Sequence, residues 1–194
     1  MRQSSIRIVP TIVAAALVLL SSLPVAAQRL AKPEWFHGLA VQMGASPGST
    51  TLQIDLSVTR MSTDQERDTV MNTILESPSK LVDVLRKMPS VGRLSSPGSV
   101  GYDLRYVEHT KIGTSDRFLL LTDRPVGFAE AVNNSRTLEY SVTVIELRVP
   151  PVGQGDGKIA VAAKLGVDAR TKALTAEDWA ISPVLIQALE RERR

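Results

Sequence analysis

The sequence predicts an α+β fold: a mostly antiparallel sheet of about six strands packed by one helical hairpin. Three observations carry that prediction. One run alternates cleanly, a pair of helical stripes follows it directly, and five further β-like runs come before the C-terminal segment. The composition, 43% hydrophobic and 22% charged over 194 residues, is that of a globular chain, neither disordered nor fibrous.

The first 27 residues stand apart from that domain. Arg2 and Arg7 give a basic start, residues 8–20 are almost unbroken apolar sequence, and Ser21-Ser22-Leu23-Pro24 ends the run. Val25 and Ala27 then supply the small residues that precede a cleavage site at Gln28. This is the pattern of a secretory signal peptide, and it predicts a secreted or periplasmic product. The apolar run is shorter than the roughly 20 residues of a membrane span, so no span is expected after cleavage. Loss of Arg2 and Arg7 takes Lys+Arg from 23 to 21 against 20 Asp+Glu, and the net charge from +3 to +1. A near-neutral chain with no Lys/Arg block lacks the electrostatic footprint of nucleic-acid binding.

Residues 28–50 hold Trp35, Phe36 and His37 and then a Gly/Ser/Pro stretch, which predicts an irregular N-terminal segment ending in a loop. Residues 51–194 form the single α+β domain. In residues 51–60, Leu52, Ile54, Leu56 and Val58 share one face and Gln53, Asp55, Ser57 and Thr59 the other, the period of a half-buried strand. Thr63-Asp64-Gln65-Glu66 is a capping box, followed by the stripe Val70, Met71, Ile74 and Leu75. Ser77-Pro78 restarts the helical pattern, Leu81, Val82, Leu85 and Met88 continue it, and Pro89 stops it.

Residues 91–101 are rich in Gly, Ser and Pro and predict a loop. The β-like runs lie at 102–107, 117–123, 138–149, 158–168 and 172–179, with the second apolar on both faces as in a central strand. Gly153-Gln154-Gly155-Asp156-Gly157 predicts a hairpin loop, and residues 168–172 a tighter turn. Residues 182–189 are read as a closing strand through Val184, Ile186 and Ala188, with a short helix as the other reading. In residues 138–149 the pattern flips after Val144, so that a regular half-buried strand would bury Glu146 and Arg148. A β-bulge near Val144-Ile145 is the expected escape, and a strand covered on both faces, with Ile145 and Leu147 under the helical hairpin, is the alternative.

Thr122-Asp123-Arg124-Pro125, residues 140–147 and Gly153 to Lys158 together resemble small exported bacterial proteins of uncharacterised function. The likeness runs from about residue 51 to the C-terminus through phrases of low specificity. It implies export and a C-terminal strand, and it carries over no activity and no site residue.

No residue is assigned as catalytic, cofactor-binding or metal-ligating. With no Cys there is no disulfide, thiolate metal site or cysteine nucleophile. His37 and His109 do not form a zinc-ligand pattern; His109 is placed on a solvated face with Asp103, Arg105 and Val107, and His37 beside its two aromatic neighbours. Gly153-x-Gly155-x-Gly157 lacks the spacing of a dinucleotide fingerprint and the ligand set of a calcium loop. Gly98-Ser99-Val100-Gly101 is not a nucleophile elbow. Asp123-Arg124-Pro125 ends the most apolar run and is read as a local turn, and Asn133-Asn134-Ser135 as a coincidental sequon. The chain therefore reads as a non-catalytic envelope or extracellular module that binds a ligand or protein partner. The rival is a secreted hydrolase with a dispersed acid/base or serine site.

Overall fold

A barrel-like wall of nine antiparallel strands replaces the expected six-stranded sheet packed by a helical hairpin. The computed structural model describes residues 29–42, 50–124, 126, 142–161, 163–168, 170–171, 173–179 and 183–192. The expected signal peptide, the sequon, Pro125 and residues 138–141 lie outside them. In chain order the elements are β1 (Arg29–Gln42), β2 (Thr50–Arg60), α1 (Asp64–Glu76), a 3-10 turn (Pro78–Lys80), α2 (Leu81–Lys87), β3 (Gly92–Ser95), β4 (Tyr102–Leu104) and β5 (Tyr106–Ile112). Then come β6 (Ser115–Thr122), β7 (Thr143–Val149), β8 (Gly155–Val161), β9 (Ala163–Val167), β10 (Leu174–Trp179) and β11 (Val184–Glu192).

The wall runs β4-β3-β2-β1-β11-β8-β7-β6-β5, and its two outermost strands are consecutive in the chain. Only Arg105 separates β4 from β5. A single bent strand thus pairs with β3 along its first part and with β6 along its second, which all but closes the sheet on itself. Backbone bonds span the join: Arg105 N–H donates to Leu121 O at 2.8 Å and Ser62 N–H to Val107 O at 3.1 Å. The Ser62 hydroxyl oxygen also accepts from Val107 N–H at 3.0 Å.

Alternation along the strands sorts apolar residues into two cores. Phe36, Ile54, Leu56, Leu94, Phe118, Leu120, Ile145, Leu147 and Ile186 fill the interior. Tyr106, Leu119, Leu121, Val144 and Ala160 point outward on β5–β8 and are covered by Val70, Ile74, Leu81 and Leu85 of the helices and by Leu174 of β10. The two helices lie in the expected stretch, and the capping box is present, with Glu66 N–H donating to Thr63 Oγ1 at 3.1 Å and Thr63 N–H to Glu66 Oε2 at 2.8 Å. They follow the second strand, however, and roof one sector of the wall beside the separate β9–β10 hairpin.

Four further expectations fail for identifiable reasons. Residues 29–42 of the segment expected to be irregular form β1, whose inward positions are Phe36, Gly38 and Ala40 while Trp35, Leu39 and Val41 face out, the reverse of a legible pattern. Gly38 is where it is because a Cβ there would meet Ile186 Cγ2 at 2.9 Å. The loop expected at 91–101 contains β3, and the glycine-rich hairpin loop is only partly loop, since Gly155 and Gly157 belong to β8. Gly157 lies against the Glu146 carbonyl, which a Cβ would approach to 2.6 Å. Finally, β7 carries no bulge: its register is unbroken from Thr143 to Val149 with β6 and from Thr143 to Arg148 with β8. It is covered on both faces, but Ile145 and Leu147 point into the barrel and Val144 toward the helices. The closing strand at the C-terminus is present as β11.

Candidate functional site

Where the roof of helices ends, the outer face of β5–β8 turns polar. The register sets two rows across it: Glu108, Leu119, Glu146 and Lys158 in one, and Thr110, Arg117, Arg148 and Asp156 in the next. The β9–β10 hairpin overhangs these rows. It is fastened at Leu174, whose N–H donates to Glu108 Oε2 at 3.5 Å and whose carbonyl accepts from Arg117 Nη2 at 3.2 Å. Its turn is tied by Asp168, whose Oδ1 accepts from the backbone N–H of Arg170 and Thr171 at 2.8 Å each. Between hairpin and wall runs a groove of about 640 Å³.

Among the described residues, six cations line the groove: Arg67, Lys111, Arg117, Arg148, Lys158 and Arg170. Three carboxylates, Glu108, Glu146 and Asp168, oppose them. At the rim, Arg67 also pairs with Asp64 at 2.9 Å and Lys111 with Asp116 at 2.7 Å. The centre is different in kind. Glu146, with a side chain only 7% exposed, receives Arg117 Nε at 3.2 Å and both Arg148 Nε and Nη2 at 3.3 and 3.2 Å, all on Oε1. Lys158 Nζ stands 3.7 Å from Oε2. Burial pushes the Glu146 carboxyl up, but Arg117, Lys158 and Arg148 outweigh it and hold the group below the usual carboxylate range. Held in its ionised form, the Glu146 carboxylate is the counter-charge for the cations around it.

A second polar cluster sits at the barrel end where β5 hands over to β6. Asp116 accepts from Lys111 at 2.7 Å, lies 2.8 Å from His109 Nε2, and accepts from Arg191 Nη1 at 3.1 Å. The Lys111 bond foremost, with His109 beside it, brings the Asp116 carboxyl down to about 2. His109 stacks on Phe118 with ring centroids 4.7 Å apart, Arg191 lies over the same ring, and Phe36 meets its edge at 5.0 Å. The side of β5 expected to be solvated thus begins with buried Val107 and continues into a charged stopper over the interior. Beside it, Pro150, Val152, Gln154 and Glu190 border a depression of about 510 Å³.

The other residues singled out in the sequence lie apart. His37 is on the outer face of β1, 2.7 Å from Asp55 Oδ1 and 3.4 Å from Glu192 Oε2. Asp123 is buried 3.5 Å from Arg105, the residue that joins β4 to β5, while Arg124 is exposed and its N–H donates to Thr122 Oγ1. The cations near the Asp123 carboxylate are Arg105 and, at 4.0 Å, Arg86. Among the described residues no three of His, Asp and Glu gather to hold a metal ion, and no helix is long and apolar enough to cross a membrane. Arg117, Glu146, Arg148 and Lys158 were not singled out as a group by sequence reasoning. The signal for them was the flip after Val144, which placed Glu146 on the face of Val144.

No family model, curated protein or solved structure matches this chain.

Proposed function

We propose that the chain is an exported, non-catalytic binding module of the cell envelope or extracellular space, and that its ligand is anionic. The observation that carries the reading is the cationic lining of the groove, six cations to three carboxylates among the described residues, with Asp64 and Asp116 as further partners at the rim, on a chain that without residues 1–27 has a net charge of only +1. Charge gathered into one recess of a nearly neutral protein focuses the field there and raises the local concentration of counter-charged ligands. The basic start, short apolar run and small residues before Gln28 support export.

Two measurements test the reading. Intact mass of the exported protein is expected to show cleavage after Ala27, and a retained residue 1–27 segment would remove the export half of the proposal. Thermal-shift screening against anionic and cationic small molecules at low and high salt tests the other half. A ligand at about 100 times its Kd stabilises by roughly 2.7 kcal/mol. Anions are expected to raise Tm, less so at high salt; stabilisation by cations alone would overturn the assignment.

A further inference from the structure

We infer that the groove takes a phosphate group carrying two negative charges, bound at the Arg117–Arg148 pair with Lys158 beside it. This rests on the anionic-ligand reading and narrows it to a chemical class.

Arg117 and Arg148 are direct partners in the β6–β7 register, and like charges directly opposite on a sheet repel. Glu146 is the carboxylate between them and Asp156 faces Arg148 from β8, so Arg117, Arg148 and Lys158 meet two carboxylates there. The cations at the centre of the groove therefore outnumber the carboxylates that face them.

Hydrogen-bond capacity at the centre of the groove is also unevenly used. Three N–H donors converge on the single Oε1 of Glu146 at 3.2–3.3 Å. Charge-assisted bonds of this type normally run to about 2.7–2.9 Å, so each is stretched. Arg148 spends Nε and one Nη nitrogen on that crowded oxygen while its side chain is 53% exposed. A guanidinium has five N–H donors, and loosely held ones re-aim at little cost toward a better acceptor. Arg117 is fixed more firmly, buried and tied to the Leu174 carbonyl as well as to Glu146.

Phosphate and carboxylate differ in what they offer these donors. A second carboxylate would repeat what Glu146 already provides, one charge on two coplanar oxygens. A terminal phosphate carries about −1.5 to −2 at pH 7 and three strong acceptor oxygens. It can take the Arg148 fork on two oxygens and Lys158 on the third while Glu146 keeps Arg117. The same chemistry is offered by a soluble phosphate compound and by a phosphomonoester lipid headgroup.

The test titrates inorganic pyrophosphate, and citrate as a polycarboxylate of similar charge, into the protein by calorimetry at fixed ionic strength. Pyrophosphate is expected to bind at least about tenfold more tightly than citrate, and Arg148→Gln to weaken it by about tenfold or more, the scale of one hydrogen bond to a charged group. Arg148→Lys, which keeps the charge but loses the fork, is expected to fall between; both variants are checked for an unchanged melting transition. Flotation with phosphatidic acid vesicles against phosphatidylglycerol vesicles then separates the sources. Selective binding to the former supports a lipid headgroup, and pyrophosphate binding without vesicle binding supports a soluble ligand. Equal binding to both vesicles, or citrate as tight as pyrophosphate, overturns the phosphate assignment while the anionic reading stands. No binding of either anion, or pyrophosphate binding unchanged in Arg148→Gln, overturns both.

Discussion

Arg117 and Arg148 stand opposite each other across β6 and β7, and one oxygen of Glu146 accepts hydrogen bonds from both. The arrangement makes Glu146 the keystone of this face. Removing it would leave Arg117, whose side chain is only 10% exposed, without its counter-charge.

Glu146→Gln is accordingly expected to destabilise the domain by about 3 kcal/mol, the usual order for breaking a buried ion pair from one side. Replacing both members, Arg117→Met with Glu146→Leu, is expected to recover most of that loss, because no buried charge is then stranded. Urea melts of the three proteins decide it. Equal stability of Glu146→Gln and the parent would mean that water reaches the pair.

Thr63→Ala is expected to cost about 1 kcal/mol through loss of the N-cap hydroxyl. The loss has a second route, since Glu66 also pairs with Arg60 at 2.8 Å and ties α1 to the end of β2. Burial raises the Glu66 carboxyl, but Arg60 and the Thr63 N–H bring it below its ordinary value. An unchanged denaturation midpoint would show the cap to be replaced by solvent.

Asp116 supplies an acid-limb prediction. Its pKa falls from an ordinary 3.8 to about 2 in the folded state, so its contribution to stability is present above the ordinary value and lost as pH drops through the folded one. The difference in Tm between the parent and Asp116→Asn is expected to be constant near neutral pH and to shrink between about pH 4 and pH 2. A difference independent of pH over that range would mean that the carboxylate charge does not matter to the stopper.

His37 gives the opposite sign. The Asp55 hydrogen bond, with Glu192 behind it, raises its pKa above the ordinary 6.5 against the effect of burial. The stabilisation is therefore fully present below about pH 6.5 and lost as pH rises through the folded value. His37→Gln should lower Tm at about pH 5.5 and have little effect at about pH 9. An equal loss at both would assign His37 a packing role only.

The strands and helices that could be read from the sequence are those whose patterns were complete. Leu52 to Val58 alternate, Thr63 to Glu66 cap, and Phe118 to Leu121 are apolar on both faces because both faces are covered. What stayed illegible was closure. The inward face of β1 is carried partly by Gly38 and Ala40, whose small size reflects the closeness of β11 and not a turn. Gly92 and Gly157 likewise mark close backbone approach within strands, yet glycine in a sequence reads first as loop. The groove was hidden by a reasonable inference. A charged residue on an apolar face suggests a bulge, whereas here Glu146 is kept in place by cations from β6 and β8 that no local pattern links to it.

The pairing of β1 with β11 sets an order on assembly. During synthesis or threaded transport from the N-terminus, β2 follows β1 at once, but β11 begins only at Val184. Until then one edge of β1 has no neighbour, and Trp35, Leu39 and Val41 stand along a strand open to any chain that can add to it. The wall cannot ring shut on a partial chain, and pairing of such long sequence separation is slow to form. The last strand to arrive thus acts as the latch of the whole fold. Truncation before Val184 should leave an aggregation-prone intermediate that depends on chaperones.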